Sequence, residues 1–155
     1  MGAQPSKFWL AAFYAGVVAS ITSTIAQILL WWIFWDALPS ILYRDALFAA
    51  AIVLGQEVLP PPATLDWQLM FIATCIHFVL SVIYAIPLSW LIRYLDMKAS
   101  LVSGGLYGLG IFTMNMYGFV IIFPWFVETR DWITITAHIV FGVSAAGTYK
   151  ALFKR

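Results

Sequence analysis

The chain has 155 residues, of which 63% are hydrophobic and 10% charged, with a mean hydropathy of +0.93 and a formal net charge of +1. This composition leaves little polar surface for a water-soluble fold, and the few scattered basic residues exclude a nucleic-acid partner. The sequence contains no Gly-x-Ser-x-Gly, no phosphate loop and no His-Glu-x-x-His, so we expect that it is not an enzyme.

Four long apolar stretches occupy most of the chain, at roughly residues 8–34, 68–92, 99–123 and 132–152. Each meets or exceeds the roughly 20 apolar residues that a helix needs to cross about 30 Å of hydrocarbon. The sequence therefore predicts an all-α, polytopic membrane protein with a single transmembrane domain over residues 1–155. Because the later connections are short, we expect four transmembrane helices in an antiparallel bundle.

A shorter apolar segment, from Ile41 to Leu54, follows the first stretch. It is too short to span a bilayer, and it lies between Ser40 and Gly55, which are common start and stop residues of helices. Three prolines at positions 60–62 come soon after it. We predict an interfacial or re-entrant helix at about residues 40–55, which forms either a lid over the bundle or a docking surface for a partner.

Basic residues are concentrated at one set of predicted helix ends. These ends carry Lys7, Arg93, Lys98, Lys150, Lys154 and Arg155. The opposite helix ends carry only Arg44 and Arg130. Loops rich in lysine and arginine stay in the cytoplasm, so we expect both termini to be cytoplasmic. These basic tips are suited to contact anionic headgroups of the lipid bilayer.

The two halves of the chain resemble one another. Shifting the first stretch by 88 residues places Gly16 on Gly104 and Gln27 on Asn115, and shifting the second by 61 places His77 on His138. Both halves begin on the same predicted side. The pattern therefore indicates a parallel repeat with a pseudo-two-fold axis along the membrane normal.

Rows of small residues indicate which helix faces pack together. Two rows lie on the first stretch and one on the third: Ala12, Gly16 and Ser20; Ala15, Ala19, Ser23 and Gln27; Gly104 and Gly108. Such rows let two helix backbones approach closely within a bilayer. The same rows can pack helices of different chains, so we expect a homo-oligomer or a subunit of a larger membrane complex.

Several polar residues fall within the apolar stretches. They are His77, Ser81, Tyr84, Asn115, Gln27 and His138. Ionisable residues are costly against lipid and usually face the interior of a bundle or a wet cavity. Counting helical rise places His77, His138, Gln27 and Asn115 in the outer half of the bundle, where we predict that they form one polar cluster open to the outside. Ser81 and Tyr84 share a helix face with His77 and belong to the same predicted site.

Three interpretations of this cluster are open. In the first, the side chains only join helices through hydrogen bonds, and the protein is an accessory, structural or partner-binding membrane subunit. In the second, they line a ligand or proton pathway of a small channel or transporter, because histidine titrates near neutral pH. In the third, His77 and His138 bind haem b axially, with Ser81 and Gly142 leaving room for the macrocycle. Two histidines and the distant Cys75 do not make a metal site.

Several strings resemble those of a family of small bacterial inner-membrane proteins, distantly similar to the YagU type. The resemblance covers nearly the whole chain and rests on residues 59–64, 76–84, 105–108, 123–126 and 137–142. It implies four helices and a location in the bacterial inner (plasma) membrane. It implies no reaction, substrate or cofactor, because the family has none established.

Overall fold

The structure is a computed structural model that describes residues 5–60 and 62–153. Within these residues it contains no strand, so the all-α prediction is confirmed. Three residues used in the predictions above, Pro61, Lys154 and Arg155, lie outside the described part. The helices are α1 (Pro5–Phe34), α2 (Ser40–Leu54), α3 (Trp67–Ile92), α4 (Met97–Thr113) and α5 (Trp132–Leu152).

Two of these helices are long and apolar enough to cross a membrane, over Ser6–Phe34 and Trp67–Ile92. Most of their side chains are not buried inside the protein, and large apolar side chains such as Trp9 and Phe71 point outward. A water-soluble monomer rarely exposes apolar patches of this extent. We therefore regard α1 and α3 as candidate membrane-spanning helices.

The third apolar stretch forms a shorter helix than predicted. α4 ends at Thr113 instead of continuing to residue 123, and the chain goes on as a π turn, Met114–Gly118, and a 3-10 turn, Phe119–Ile121. Gly118 and the approach to Pro124 disfavour a continued α-helix. The Nε of Arg130 donates to the carbonyl oxygen of Met116 at 2.7 Å, which satisfies a backbone group that the helix no longer pairs.

Aspartates begin three of the helices. The Asp66 carboxylate accepts from two backbone N–H groups of α3, Asp96 accepts from Ala99 of α4, and Asp131 accepts from Thr134 of α5. Capping of this kind stabilises a helix start by about 1 kcal/mol. The predicted helix at residues 40–55 is confirmed, and it ends at Gly55 with φ of 92°. Ser40 is the first residue of α2 and caps no backbone N–H.

Small residues bring the helix backbones into contact. A Cβ atom on Gly142 would clash with the carbonyl oxygen of Gly104, and a Cβ atom on Gly16 would lie 2.6 Å from the Cα atom of Val82. Ala12, Ala15 and Ala19 are fully buried, so the rows predicted on α1 do pack against neighbours. α5 lies between α1 and α4, while α3 packs against α1 and α2.

The two ends of the helical assembly differ. One end, which we call the packed end, is filled by a cluster that includes Leu88, Ile92, Ala145, Tyr149 and Phe153. Rings of Tyr149 and Phe153 stack there with centroids 5.1 Å apart. Within the described residues this cluster fills the space between α1, α3 and α5, so the packed end is solid.

The other end, which we call the α2 end, is covered by α2 and by the 3-10 turn Pro124–Thr129. The Nε1 of Trp125 donates to the carbonyl oxygen of Phe48 at 3.0 Å, and the rings of Phe48 and Phe126 are 6.1 Å apart. Whether residues 40–55 form a lid or a docking surface stays a prediction.

Candidate functional site

A cavity of about 220 Å³ lies at the α2 end. Its walls come from all five helices and from the turns after α4. All six residues of the predicted polar cluster line it: Gln27, His77, Ser81, Tyr84, Asn115 and His138. The structure therefore brings together residues that are up to 111 positions apart in the chain (138 − 27 = 111). Their role as a ligand or proton pathway stays a prediction.

Asn115 is the polar residue that joins the walls of the cavity. Tyr84 of α3 donates its O–H to the Asn115 Oδ1 at 2.8 Å, and Tyr107 of α4 donates its own O–H to the Tyr84 carbonyl oxygen at 2.9 Å. Asn115 belongs to the π turn that follows α4. Segments of π-helix are frequent at functional sites, because the wider turn redirects side chains.

His138 is held by its own helix. Its Nδ1 lies 2.8 Å from the Thr134 carbonyl oxygen, which can only accept, so this nitrogen carries the proton in a neutral ring. The Nε2 is then an acceptor and lies 3.5 Å from the Asn115 Nδ2. At that distance the bond is weak, and the Nε2 keeps capacity for another donor.

His77 lies at the edge of the cavity. Its Nε2 is 3.1 Å from the Thr24 Oγ1 of α1, which links α3 to α1. We expected both imidazoles to face the interior, but His77 is exposed, whereas His138 is partly buried.

Two polar groups of the cavity have no hydrogen-bond partner among the described residues. They are the Gln27 amide and the Ser81 hydroxyl, and both side chains line the cavity. Polar groups in such surroundings normally bind protein, water or ligand. Gln27 and Ser81 are thus available to a molecule inside the cavity.

Asp45, which is not among the six residues of the predicted site, also lines the cavity. It points from α2 and pairs with Arg44, whose Nη2 lies 2.7 Å from the Asp45 Oδ1. Burial raises the pKa of Asp45 to about 6, against the opposing effect of the Arg44 guanidinium. The sequence signal for this position is its spacing on the helix. Asp45, Ala49 and Ile52 lie at i, i+4 and i+7 and therefore share one face of α2.

The cavity is closed on the side of the packed end. The section between the cavity and the packed end is filled by four side chains that are each at most 1% exposed: Ala85, Leu88, Ala145 and Tyr149. These side chains present mostly apolar surface. In the part of the chain that the structure describes, the lining of the cavity therefore stops near Tyr84 of α3 and Phe141 of α5.

A haem between the two histidines does not fit this arrangement. Gly142, one of the two small residues expected to make room for it, packs against the backbone of Gly104. The backbone of Ser81, the other one, lies against Gly16, although its side chain lines the cavity. The Nε2 of His77 is also engaged by Thr24. Among residues 5–60 and 62–153, no group of three His, Cys, Asp or Glu side chains is arranged to hold a metal ion.

The chain matches no protein-family model, no curated protein and no solved structure. The resemblance to small inner-membrane proteins of the YagU type therefore stays a prediction.

Proposed function

We propose that this chain is a four-span membrane protein that binds a small ligand in the cavity at its α2 end and does not conduct it to the other side. It would act as an accessory or partner-binding subunit of the membrane. The observation that carries this proposal is a polar cavity whose deep end is closed by a packed apolar cluster. Pockets with a few unpaired polar groups in apolar walls are typical of binding sites.

The pattern of contacts supports four spans in an antiparallel bundle. Along α4 and α5, Gly104 is close to Gly142 while Gly108 is close to His138, so the residue numbers rise on one helix as they fall on the other. The same holds for α1 and α3, where Gly16 meets Val82 and Thr24 meets His77. If α1 and α3 cross the bilayer, α4 and α5 lie beside them at the same depth.

The proposed internal repeat is supported by equivalent contacts in the two halves. Gly16 packs against Ser81, and the residues that correspond to them after the shifts of 88 and 61 positions are Gly104 and Gly142, which also pack together. Thr24 contacts His77, and the corresponding pair is Phe112 and His138, whose rings are 5.6 Å apart. The pair α4 and α5 would then span the bilayer as α1 and α3 do.

The charge distribution supports an orientation in the bacterial inner membrane with both termini in the cytoplasm. The packed end carries four described basic residues, Lys7, Arg93, Lys98 and Lys150, and one described acid, Asp96. Most acidic residues lie toward the α2 end. The positive-inside rule then places the packed end in the cytoplasm and the cavity toward the outside.

The alternative function, a small proton or solute channel or transporter, has less support. Conduction needs a polar route through the whole bilayer, and ionisable or hydrated groups usually mark such routes. Between the cavity and the packed end, however, the described residues place Ala85, Leu88 and Tyr149 in close contact. We therefore favour binding over conduction.

Labelling of introduced cysteines tests the proposal. In a Cys75→Ala background, we expect Gln27→Cys to react with a membrane-impermeant maleimide from the α2 side. Ala145→Cys at the packed end and Val18→Cys on the outward face of α1 should not react, because maleimides need a hydrated thiolate. Unreactive Gln27→Cys, or Ala145→Cys that reacts as fast, would contradict a hydrated cavity with a closed deep end.

The second arm of this experiment is proton flux into proteoliposomes loaded with a pH-sensitive dye. The native chain, His77→Ala and His138→Ala should all leak at the rate of protein-free vesicles. A native leak well above that background, lost in both histidine variants, would replace binding by conduction.

A further inference from the structure

A second, apolar compartment adjoins the polar cavity. It has a volume of about 400 Å³ and lies between α2, α3 and the turns after α4. The residues that line only this compartment are all apolar: Ile52, Ile76, Ile83, Phe119 and Phe123. It offers hydrocarbon contacts where the first cavity offers hydrogen bonds.

The two compartments share part of their lining. His77, Tyr84 and Asn115 line both of them, as does Ala49 of α2. A molecule that occupies both would place one part among polar groups and the other among aliphatic and aromatic side chains. This division matches the two parts of an amphiphile.

The apolar compartment reaches the surface between α3 and the turns after α4. α3 and α4 contact each other little, although only a short turn joins them, whereas α1 and α5 are in contact along much of their length. In the proposed repeat the pair α3 and α4 corresponds to the pair α1 and α5. The two pairs are therefore not symmetric, because α3 and α4 leave a gap between them. Ile83 is 52% exposed and Phe119 is 40% exposed at this gap. In a four-span arrangement the gap faces the hydrocarbon of the bilayer.

The charges around the polar compartment indicate the kind of head group. No cationic side chain lines it within the described residues, and its one carboxylate is Asp45. A phosphate head group would have to leave water without a cation to pair with and would approach a carboxylate. The unpartnered Gln27 amide and Ser81 hydroxyl instead fit a head group that both donates and accepts hydrogen bonds.

We propose that the cavity binds a single-chain lipid with an uncharged, hydroxyl- or ester-bearing head group, which enters sideways from the bilayer between α3 and the turns after α4. This inference rests on the proposed binding function and names its ligand class. The head group contacts Gln27, Ser81 and Asn115, and the chain lies against Ile52, Ile76 and Ile83. A lateral entrance explains how a ligand reaches a cavity that α2 covers from the end.

Native mass spectrometry with added monoolein tests the inference. We expect the purified native chain to retain one monoolein, and Ile52→Trp, which fills the apolar compartment, to weaken retention at least tenfold. Val53→Trp is the matched control, because Val53 is the next residue of α2 and is 68% exposed. It should bind as the native chain does. Ile83→Trp provides the same test from α3 if Ile52→Trp does not fold.

Two further ligands test whether binding needs the acyl chain and whether it needs an uncharged head group. Glycerol, which lacks the chain, should not be retained, and lysophosphatidylglycerol, which has a charged head group, should bind at least tenfold more weakly than monoolein. Equal retention of monoolein by the native chain and by both folded tryptophan variants would overturn the inference, as would stronger binding of lysophosphatidylglycerol. If Gln27→Cys is labelled but monoolein is not retained, the binding cavity stands and the lipid assignment falls.

Discussion

The packed end and the α2 end are built from the same helices but differ in what fills them. At the packed end, α1, α3 and α5 meet through alanines and through Leu88, Ile92 and Tyr149, and the interior is solid. At the α2 end, the same three helices meet α2 and the turns after α4 around a polar cavity. The difference teaches that helix packing closes one half of the protein, while short irregular segments enclose space in the other.

The physical basis of this difference is the size of the residues at the helix contacts. Glycine and alanine let helix axes approach, and lipid-embedded helices associate mainly through such close packing. Where α4 gives way to the Met114–Gly118 π turn, regular packing ends and side chains such as Asn115 turn toward the neighbouring helices. A cavity forms because no continuous helix fills that corner of the bundle.

The largest expected effect comes from the glycine contact that joins α4 to α5. We expect Gly142→Leu to abolish the folded state, because the new side chain would meet the backbone of Gly104, which has no room to move. Thermal unfolding and gel filtration in detergent measure the loss. Gly110→Leu is the matched control, since no atom lies within 4 Å of a Cβ placed there. If both variants melt at the native temperature, the contact is not as close as described.

A pair of leucines on α3 compares the two ends directly. Leu88 is 1% exposed at the packed end, and Leu80, eight positions earlier on the same helix, lines the cavity. We expect Leu88→Ala to destabilise the protein by about 2–5 kcal/mol, because it leaves a void in a solid core. Leu80→Ala only enlarges an existing space and should cost less than Leu88→Ala.

Equilibrium unfolding in mixed micelles measures both leucine variants against the native chain. A larger loss for Leu80→Ala than for Leu88→Ala would reverse the comparison. It would mean that the α2 end, not the packed end, holds the helices together.

A further expected effect is a dependence of stability on pH through Asp45. The folded chain holds the proton on Asp45 to a higher pH than the unfolded chain does, so ionisation of this group opposes folding. Its contribution to stability should fall as the pH rises from the ordinary pKa of 3.8 to about 6 and stay constant above that. Each tenfold difference in proton affinity corresponds to about 1.4 kcal/mol.

Melting temperatures between pH 4 and pH 7 measure this contribution. Asp45→Asn removes the titrating group and should flatten the profile relative to the native chain. Glu57→Gln, an exposed acid just beyond α2, should leave the profile unchanged. An Asp45→Asn profile that still falls as steeply as the native one would assign the dependence to another group.

Much of the fold could be predicted from the sequence. The apolar stretches correspond to helices, α2 begins and ends where Ser40 and Gly55 indicated, and the small residues of α1 are buried at helix contacts. The early end of α4 was not predicted. Hydropathy cannot distinguish an α-helix from π and 3-10 turns of equal apolarity, and the hydrogen bond that Arg130 donates to the turn comes from a residue 14 positions later in the chain.

The members of the candidate site could also be identified, because polar residues stand out in apolar helices. Their individual surroundings could not. The exposure of His77, the link from Asn115 to Tyr84 and the approach of Asp45 from α2 depend on how the elements pack. In the haem interpretation, Gly142 was expected to leave space for the macrocycle, but it lies against the backbone of Gly104.

The sequence by itself determined that the chain is helical, apolar over most of its length and polar at a few interior positions, because composition and residue spacing set local structure and cost of burial. Only the tertiary structure decided that these positions surround one cavity, that the cavity is closed at its deep end and that an apolar compartment opens beside it. Those properties follow from contacts between residues far apart in the chain, and such contacts have no signature in the spacing of a single helix.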